Sequence, residues 1–458
     1  MFYLTFIIIL GSVLTFFRQI DVFPLRNWDE AWYAEIIKNM ASGKYGFIMP
    51  YWNGKYYFDH APLYFWLSSP FFKFFGPGEW QARIISALAS VFVVFFIFLI
   101  GKKLVNTLTG FFSVLIFLTF GGVVIRFAHG NLDSLLVFFS LGAFYFYLKS
   151  DDRRLYSLLC GLFLGLGILV KSWGVGMLPV FLMFTYAVFK EKRVPRNLHL
   201  ILPVALFSFG WWYFLGFWKF GYQFVSWYFL NPSEGRLNNP IGNFSFDYFL
   251  FTITDIGLWF LVGFVFLLGK FQKGIKTKTS FVFSFLIVSF VYVTFLNFLS
   301  DKSDWYAIPV YPLIALVLGY WVYRIYKLSP KISIFIFGVI LIFQIYNVFR
   351  IENIYPDRSV IGATLGRVAN VLIPNGDTVI LDDHDFTSFL YYSNQTAIYT
   401  LQEGKKPGEW WILTNSTLSS FLNNHPRSWI ITKRPQDLHL IANKLFTSIN
   451  GYSFMKLY

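Results

Sequence analysis

The sequence predicts a polytopic α-helical membrane protein with helices lying along its outer face and a small C-terminal α/β domain. Three observations lead there. Of 458 residues, 56% are hydrophobic, 22% aromatic and 14% charged, a makeup far too apolar for an average soluble globule. The apolar runs come in pieces of roughly 20 residues, the length a helix needs to cross about 30 Å of hydrocarbon, where a β-barrel would show short alternating segments. The basic residues gather between those runs.

Taken in order, the first apolar segment, Phe2–Phe17, lacks the basic start and small-residue cleavage site of a signal peptide and reads as a retained membrane helix. Asn27 followed by Glu30 resembles a capping box, and Gly43 is a suitable stop, so an amphipathic helix of about four turns is expected between them. Trp28, Trp32 and Glu35 fall on one stripe and Ile36, Ile37 and Met40 on another, a pattern that suits the membrane surface. A polar stretch over 51–60 follows, and Pro62 opens another short helix to about Phe75. Further spans are expected near 83–100, 104–125, 131–148, 155–171, 174–189, 198–217, 246–268, 280–298, 306–323 and 332–349. With the first, that makes about eleven.

The formal net charge is +14, and its placement decides what it means. Alternate loops carry Lys102 and Lys103, then Lys149, Arg153 and Arg154, then Lys190, Lys192, Arg193 and Arg196, then Lys270, Lys273, Lys276 and Lys278, then Arg324, Lys327 and Lys331. By the positive-inside rule all of these loops and the N-terminus are cytoplasmic, which accounts for the basic excess without a nucleic-acid partner. The opposite loops, 29–75, 126–133, 218–247 and 300–305, collect acids, Trp, Tyr and Asn, so chemistry is expected on the outer side. The single cysteine, Cys160, lies in an apolar run and offers neither an intrachain disulfide nor a thiolate metal site.

Residues 1–350 therefore read as the membrane domain, with a first outer loop over 21–80, and 351–458 as an outer domain. In the latter, 377–381, 410–414 and 429–432 read as strands with helical stretches between, and no glycine-rich phosphate loop is present.

The candidate reaction centre is Asn27-Trp28-Asp29-Glu30-Ala31-Trp32-Tyr33-Ala34-Glu35, a cluster of three acids soon after the first apolar segment. Adjacent carboxylates just outside a bilayer can take a proton from an incoming hydroxyl or steady developing positive charge. The helix dipole alone would also favour two acids in a first turn. In order along the chain stand Asp29-Glu30 after the first span, Tyr57-Phe58-Asp59-His60-Ala61-Pro62-Leu63 and Glu79-Trp80-Gln81-Ala82-Arg83 before the second, and Lys302 with Tyr306 and Pro309 before a late span. This set resembles the GT-C membrane glycosyltransferases, in the superfamily of protein O-mannosyltransferases and the lipid A aminoarabinose transferase.

The resemblance covers about residues 1–350 and is strongest over 27–85. It implies an inverting transfer of a sugar from a polyprenyl-phosphate donor to a lipid (lipid A or lipopolysaccharide type) or protein acceptor. The reaction would take place at the outer, periplasmic face of an inner membrane, in a monomer. The implied catalytic acids are Asp29, Glu30 and Asp133, the last in His129-Gly130-Asn131-Leu132-Asp133. His60, Lys171, Arg236, Lys302 and Tyr306 are the implied donor-phosphate residues, and Tyr33, Tyr57 and Pro62 would line the substrate cavity. Ser172 follows Lys171 where the family usually has glycine, and His60 stands where the aminoarabinose transferase has lysine. That transferase also holds a divalent metal on an acid at the position of Asp59 and on a histidine where this chain has Ser233.

Blander readings stand beside these. Lys171 could snorkel from a helix end, and Arg126 could pair with Asp133 and do nothing else. As a whole the chain could be a flippase of lipid-linked sugars or a silent scaffold, but it shows no internal repeat and few mid-span charges.

Overall fold

In the computed structural model the chain is described over residues 2–230, 242–268, 280–299, 302–352, 357–383, 385–402, 409–436 and 443–457. It forms two units, one of Met1–Ile20, Phe58–Leu67 and Arg83–Ile354, the other of Asp21–Tyr57, Ser68–Ala82 and Tyr355–Tyr458.

The first unit is helical. Among the described residues five helices are long and apolar enough to cross a membrane: Glu79–Leu104, Trp173–Glu191, Leu198–Phe220, Asp304–Leu328 and Pro330–Val348. A bent pair counted as one span makes six. The sequence count of about eleven also includes shorter apolar helices such as Phe6–Phe17, Arg154–Ile168 and Ser280–Leu296. The most buried is Asp304–Leu328, whereas Leu198–Phe220 leaves Phe207 83% and Trp218 75% exposed. Large aromatics in the open along a whole helix suit hydrocarbon rather than water.

Two expected spans are broken, each for a visible reason. In place of a straight helix over 104–125, Thr107–Phe117 and Gly121–Phe127 meet at 75°. A break in an apolar setting must find partners for the freed backbone and polar groups. Here the Gly122 amide donates to Asp255 Oδ1 at 2.9 Å, the Tyr311 hydroxyl to Asp255 Oδ2 at 2.7 Å, and Trp259 Nε1 to Thr119 Oγ1 at 2.8 Å. The stretch 246–268 breaks at Gly257, whose φ of +58° ends helix Asp247–Ile256; Gln344 Nε2 then donates to the Ile256 carbonyl at 3.0 Å.

Arg154–Ile168 packs closely on Leu198–Phe220 through small residues. A Cβ on Gly161 would lie 2.5 Å from the Ile201 carbonyl oxygen, and one on Gly165 would lie 2.5 Å from that of Ala205. This small-residue seam is what lets two helices approach in lipid, where no hydrophobic drive separates helix from solvent.

The second unit holds two sheets. β1 (Tyr51–Trp52) and β2 (Lys55–Tyr56) form a hairpin whose turn residues Asn53 and Gly54 have φ of +46° and +85°, as a two-residue loop requires. The larger sheet contains β3 (Thr378–Leu381), β4 (Ile398–Leu401), β5 (Ile412–Leu413), β6 (Ser428–Thr432), β7 (Asn443–Ile449) and β8 (Tyr452–Leu457) in the order β5-β4-β3-β6-β8-β7. β3 pairs in parallel with both β4 and β6, with Val379 opposite Ile398 and Trp429, while β8 runs antiparallel to β6 and β7. The stretches expected at 377–381, 410–414 and 429–432 correspond to β3, β5 and β6, and three further strands complete the sheet. β6 is buried at every position, as a parallel central strand covered on both faces should be.

Helix Asp29–Ser42 also belongs to this unit, packed on β1 and on helix Thr387–Ser393. Ile36 and Ile37 are fully buried, and so are Tyr33 and Glu35 on other faces. The apolar stripe assigned above to the membrane surface is thus covered by protein. Gly43 ends the helix in the left-handed region as expected. The start differs: the capping position is Trp28, Asn27 Oδ1 instead accepts from the Ser388 amide at 2.9 Å, and Glu30 Oε2 accepts from the Arg26 amide at 2.8 Å.

Two predictions follow from this packing. Replacing Gly165 with Val forces apart two close helices, so the detergent-solubilised protein should lose about 1–3 kcal/mol of stability, read as a lower unfolding temperature, while Gly174→Val, in open space, should change it little. Burial raises the Glu35 carboxyl from 4.5 to about 7, against the opposing pull of Lys38, whose Nζ lies 2.5 Å from Oε2. The folded state therefore holds this proton more tightly than the unfolded chain, so this group's stabilisation is present below pH 4.5 and declines as pH rises to about 7. Amide exchange in Asp29–Ser42 should be slower at pH 5 than at pH 8 after correction for intrinsic rates, and Glu35→Gln should flatten that difference.

Candidate active site

In the first unit the site is built around Asp133, the first residue of helix Asp133–Lys149. It is 1% exposed, and a carboxylate so buried must be paired. Arg126 Nε lies 2.9 Å from Oδ2 and Lys171 Nζ 2.7 Å from Oδ1. Arg126 arrives on the short helix Gly121–Phe127 created by the break, and its guanidinium sits 4.2 Å from the Trp305 ring centroid. Lys171 follows helix Arg154–Ile168, and its ammonium is 5.3 Å from the Tyr306 ring centroid. The Tyr292 hydroxyl donates to the Tyr306 carbonyl at 3.0 Å, fixing that side of the site.

Local hydrogen bonds explain the fixed geometry. Asn131 Oδ1 accepts from the amides of Asp133 at 2.8 Å and Ser134 at 3.2 Å, so Asn131 caps the helix that carries the acid. Its own amide and carbonyl are both bonded by Ser86 Oγ at 2.9 Å, and the Tyr64 hydroxyl lies 3.1 Å from the same oxygen. The Ala61 amide donates to the Lys171 carbonyl at 3.4 Å and the Leu63 amide to the Leu169 carbonyl at 3.0 Å. The segment after Asp59 and His60 is thereby laid along the segment that carries Lys171, so the lysine is not a lone snorkelling residue. Pro62 is buried and its carbonyl accepts the Trp66 amide at 2.9 Å, opening helix Leu63–Phe75.

Asp59 is buried and accepts the indole N–H of Trp227. Among the described residues no group of three or more His, Cys, Asp and Glu is placed to hold a metal. Ser233 and Arg236 lie outside the described residues. Lys302 pairs with Asp247 Oδ2 at 2.7 Å and Ser245 Oγ at 2.5 Å, on the loop that leads to Trp305 and Tyr306. His60 is half-buried. The structure thus joins Asp133, Lys171 and Tyr306, adds Arg126 and Trp305, and gives Asp59 and Lys302 partners of their own.

Asp29, Glu30, Tyr33 and Tyr57 belong to the second unit. Asp29 is half-buried at the head of its helix, whereas Glu30 is buried and turned back to the Arg26 amide. The residue before them, Trp28, has φ +64° and ψ −125°, a strained backbone for a bulky side chain. It is held there by Thr387 Oγ1, which accepts the Trp28 amide at 2.5 Å, and by Asp385 Oδ1, which accepts Trp28 Nε1 at 3.0 Å. Trp32 stacks on Trp52 with centroids 4.1 Å apart and lies 5.9 Å from the buried Tyr57 ring. Asn131, an N-cap residue type two positions before Asp133, is a local signal that sequence reasoning missed, whereas Trp305 as a cation partner shows no sign in the sequence because Arg126 is far away in the chain.

Removing the acid from between two partly buried cations should be severe. Asp133→Ala is expected to lower stability by about 3–5 kcal/mol, measured by thermal unfolding in detergent. Adding Lys171→Met to Asp133→Asn should recover part of the loss.

Over residues 59–219 the chain matches the family model described as dolichyl-phosphate-mannose-protein mannosyltransferase. An uncharacterized protein of Aquifex aeolicus is 29% identical over 304 residues, 66% of this chain and 69% of that one. An undecaprenyl phosphate-alpha-4-amino-4-deoxy-L-arabinose arabinosyl transferase of Pseudomonas savastanoi is 30% identical over 171 residues, 36% of this chain and only 32% of that enzyme. The crystal structure of ArnT from Cupriavidus metallidurans bound to undecaprenyl phosphate superimposes with a TM-score of 0.80 at 15% identity, covering 99% of this chain and 97% of that one. Over nearly its whole length the chain therefore has the fold of that structure, and over 59–219 it carries the sequence pattern of the mannosyltransferase family model.

Proposed function

We propose that this protein transfers a sugar from a polyprenyl-phosphate donor to a glycolipid or protein acceptor at the outer face of an inner membrane, inverting the anomeric carbon. The observation that carries the reading is the Arg126–Asp133–Lys171 cluster. Two cations on one buried acid leave a net positive charge, suited to the phosphate that departs with the lipid. Asp133, whose two oxygens are already engaged, serves by holding those cations rather than by accepting the acceptor's proton. Lys302, tied to Asp247, is a second cation for the donor phosphate, with His60 and Arg236 as further candidates.

Asp29 is the residue we assign to the reacting carbon. A hydroxyl acceptor would give its proton to Asp29; an acceptor phosphate, already ionised, needs no base, and Asp29 would then position the nucleophile. Glu30 holds the turn through Arg26, and Tyr33, Tyr57 and Pro62 keep the substrate role that the resemblance implies. The basic loops support an N-terminus in the cytoplasm and a site, with the C-terminal region, outside. The broken helix, a feature expected of a transporter, here delivers Arg126 to the acid, which favours transfer over transport.

Mass spectrometry of envelope glycolipids and glycoproteins from a deletion strain tests this reading. Wild type should restore one species heavier by a single sugar. Asp29→Asn should cut transfer by about 10²–10⁴-fold, and Lys171→Ala by about 10²–10³-fold, with Lys171→Arg keeping more than Lys171→Ala. Full transfer by Asp29→Asn, or donor-independent transport of lipid-linked sugar in proteoliposomes, would sink the proposal.

A further inference from the structure

The six-stranded sheet changes direction at β3. From β3 the chain winds outward through β4 to β5, then returns to lay β6 on the other side of β3. Beyond the carboxyl ends of β3 and β6 their connections part, and in open α/β sheets that is where a ligand crevice forms. A cavity of about 110 Å³ lies there. Leu381, Asp383 and Asp385 line it from the β3 side, Lys433 from the end of β6 and Tyr452 from the start of β8. Ile361 and Leu365 of helix Asp357–Leu372 supply an apolar wall.

The polar wall is organised. Asp383 accepts the Tyr452 hydroxyl and, through Oδ1, the Asp385 amide at 3.1 Å, and Lys433 Nζ stands 4.6 Å from the Tyr452 ring centroid. The neighbouring acid, Asp382, is occupied separately by a two-point contact with Arg434 at 2.9 and 3.1 Å. One lysine against two lining carboxylates disfavours a phosphate. Carboxylate acceptors, an ammonium donor and a facing aliphatic wall together match a sugar ring, whose hydroxyls are polar at the edge and whose C–H face is apolar. The volume corresponds to roughly three to four waters at about 30 Å³ each, so the crevice takes the edge of one ring.

We infer that this crevice is a saccharide-binding subsite, recognising one neutral or amino sugar unit of the acceptor. Its role in transfer rests on the glycosyltransferase reading above; the binding itself does not. Asp385 ties the crevice to the reaction turn, because its Oδ1 holds the Trp28 indole immediately before Asp29. An occupied crevice steadies Asp385 and with it the strained Trp28, so the acceptor orders the turn that presents Asp29.

Saturation-transfer NMR on the full-length protein in nanodiscs tests binding with no donor present. The probes are glucose, glucosamine, glycerol, inorganic phosphate and magnesium. Glucose or glucosamine should bind, with the signal lost at least tenfold in Asp383→Asn and in Lys433→Gln and kept in Lys171→Ala. Unfolding temperatures near wild type establish that the two crevice variants fold; should either not, Leu365→Trp, which fills the cavity, replaces it. In the transfer assay the crevice variants should raise the acceptor KM at unchanged donor KM. Binding of phosphate or magnesium instead, of glycerol as well as of sugar, of no probe at all, or of sugar insensitive to all three variants overturns the subsite. Sugar binding with wild-type acceptor KM overturns its link to the acceptor. Intact sugar binding with no transfer under any condition sinks the glycosyltransferase reading alone.

Discussion

A carboxylate that is 1% exposed inside a helical membrane unit imposes its terms on everything near it. Asp133 can remain charged there only with cations in contact, and a single cation from a neighbouring turn is not what the fold supplies. Arg126 reaches it because the preceding helix breaks through 75°, and the break is tolerated because Asp255 accepts the Gly122 amide. Lys171 reaches it because 169–171 is pinned by the amides of Ala61 and Leu63. The acid itself is aimed by Asn131, which Ser86 holds. Four separate chain segments therefore have their positions set by one ion cluster.

The second unit solves a different problem, keeping Trp28 in a conformation it would leave if released. Residues held at φ near +64° persist only when their surroundings over-determine them. The segment 25–28 is tied by Tyr392 to the Leu25 amide at 2.9 Å, by Ser359 to the Asn27 amide at 3.0 Å and by Thr387 and Asp385 to Trp28. All four anchors lie more than three hundred residues later in the chain. The C-terminal residues are thus part of what shapes the start of helix Asp29–Ser42, whatever else they bind.

That distance in the chain marks the limit of what could be read from the sequence. Apolar length and charge placement were enough for the membrane class, because both are local and the bilayer tolerates few alternatives. Gly43 as a helix stop and Pro62 as a helix start were equally local, and the strands at Thr378–Leu381 and Ser428–Thr432 declared themselves as apolar runs. The capping box at Asn27 failed because Ser388, remote in sequence, competes successfully for Asn27 Oδ1. The surface placement of Ile36 and Ile37 failed for the same reason, since helix Thr387–Ser393 covers the helix that carries them. β7 and β8 carried a readable Asn450-Gly451 turn signal, both residues having positive φ, but their flanking pattern is too polar to announce strands. The bend at 118–120 runs straight into Gly121-Gly122, a paired-glycine signal that lets Asp255 approach the backbone, but Asp255 itself is a residue that an apolar window simply absorbs.

The same contrast bears on the division of labour among the acids. Asp133 is held by Arg126 and Lys171, and Glu30 accepts the Arg26 amide. A carboxylate held by two cations is a poor proton acceptor, since each stabilises its charged form, yet it is well suited to orient those cations. Asp29 is half-buried at the first turn of a helix, next to the strained Trp28. In the proposed transfer, an acid of the first kind would hold the charges that receive a leaving phosphate. A buried ion cluster fixes Asp133, and an over-determined turn precedes Asp29.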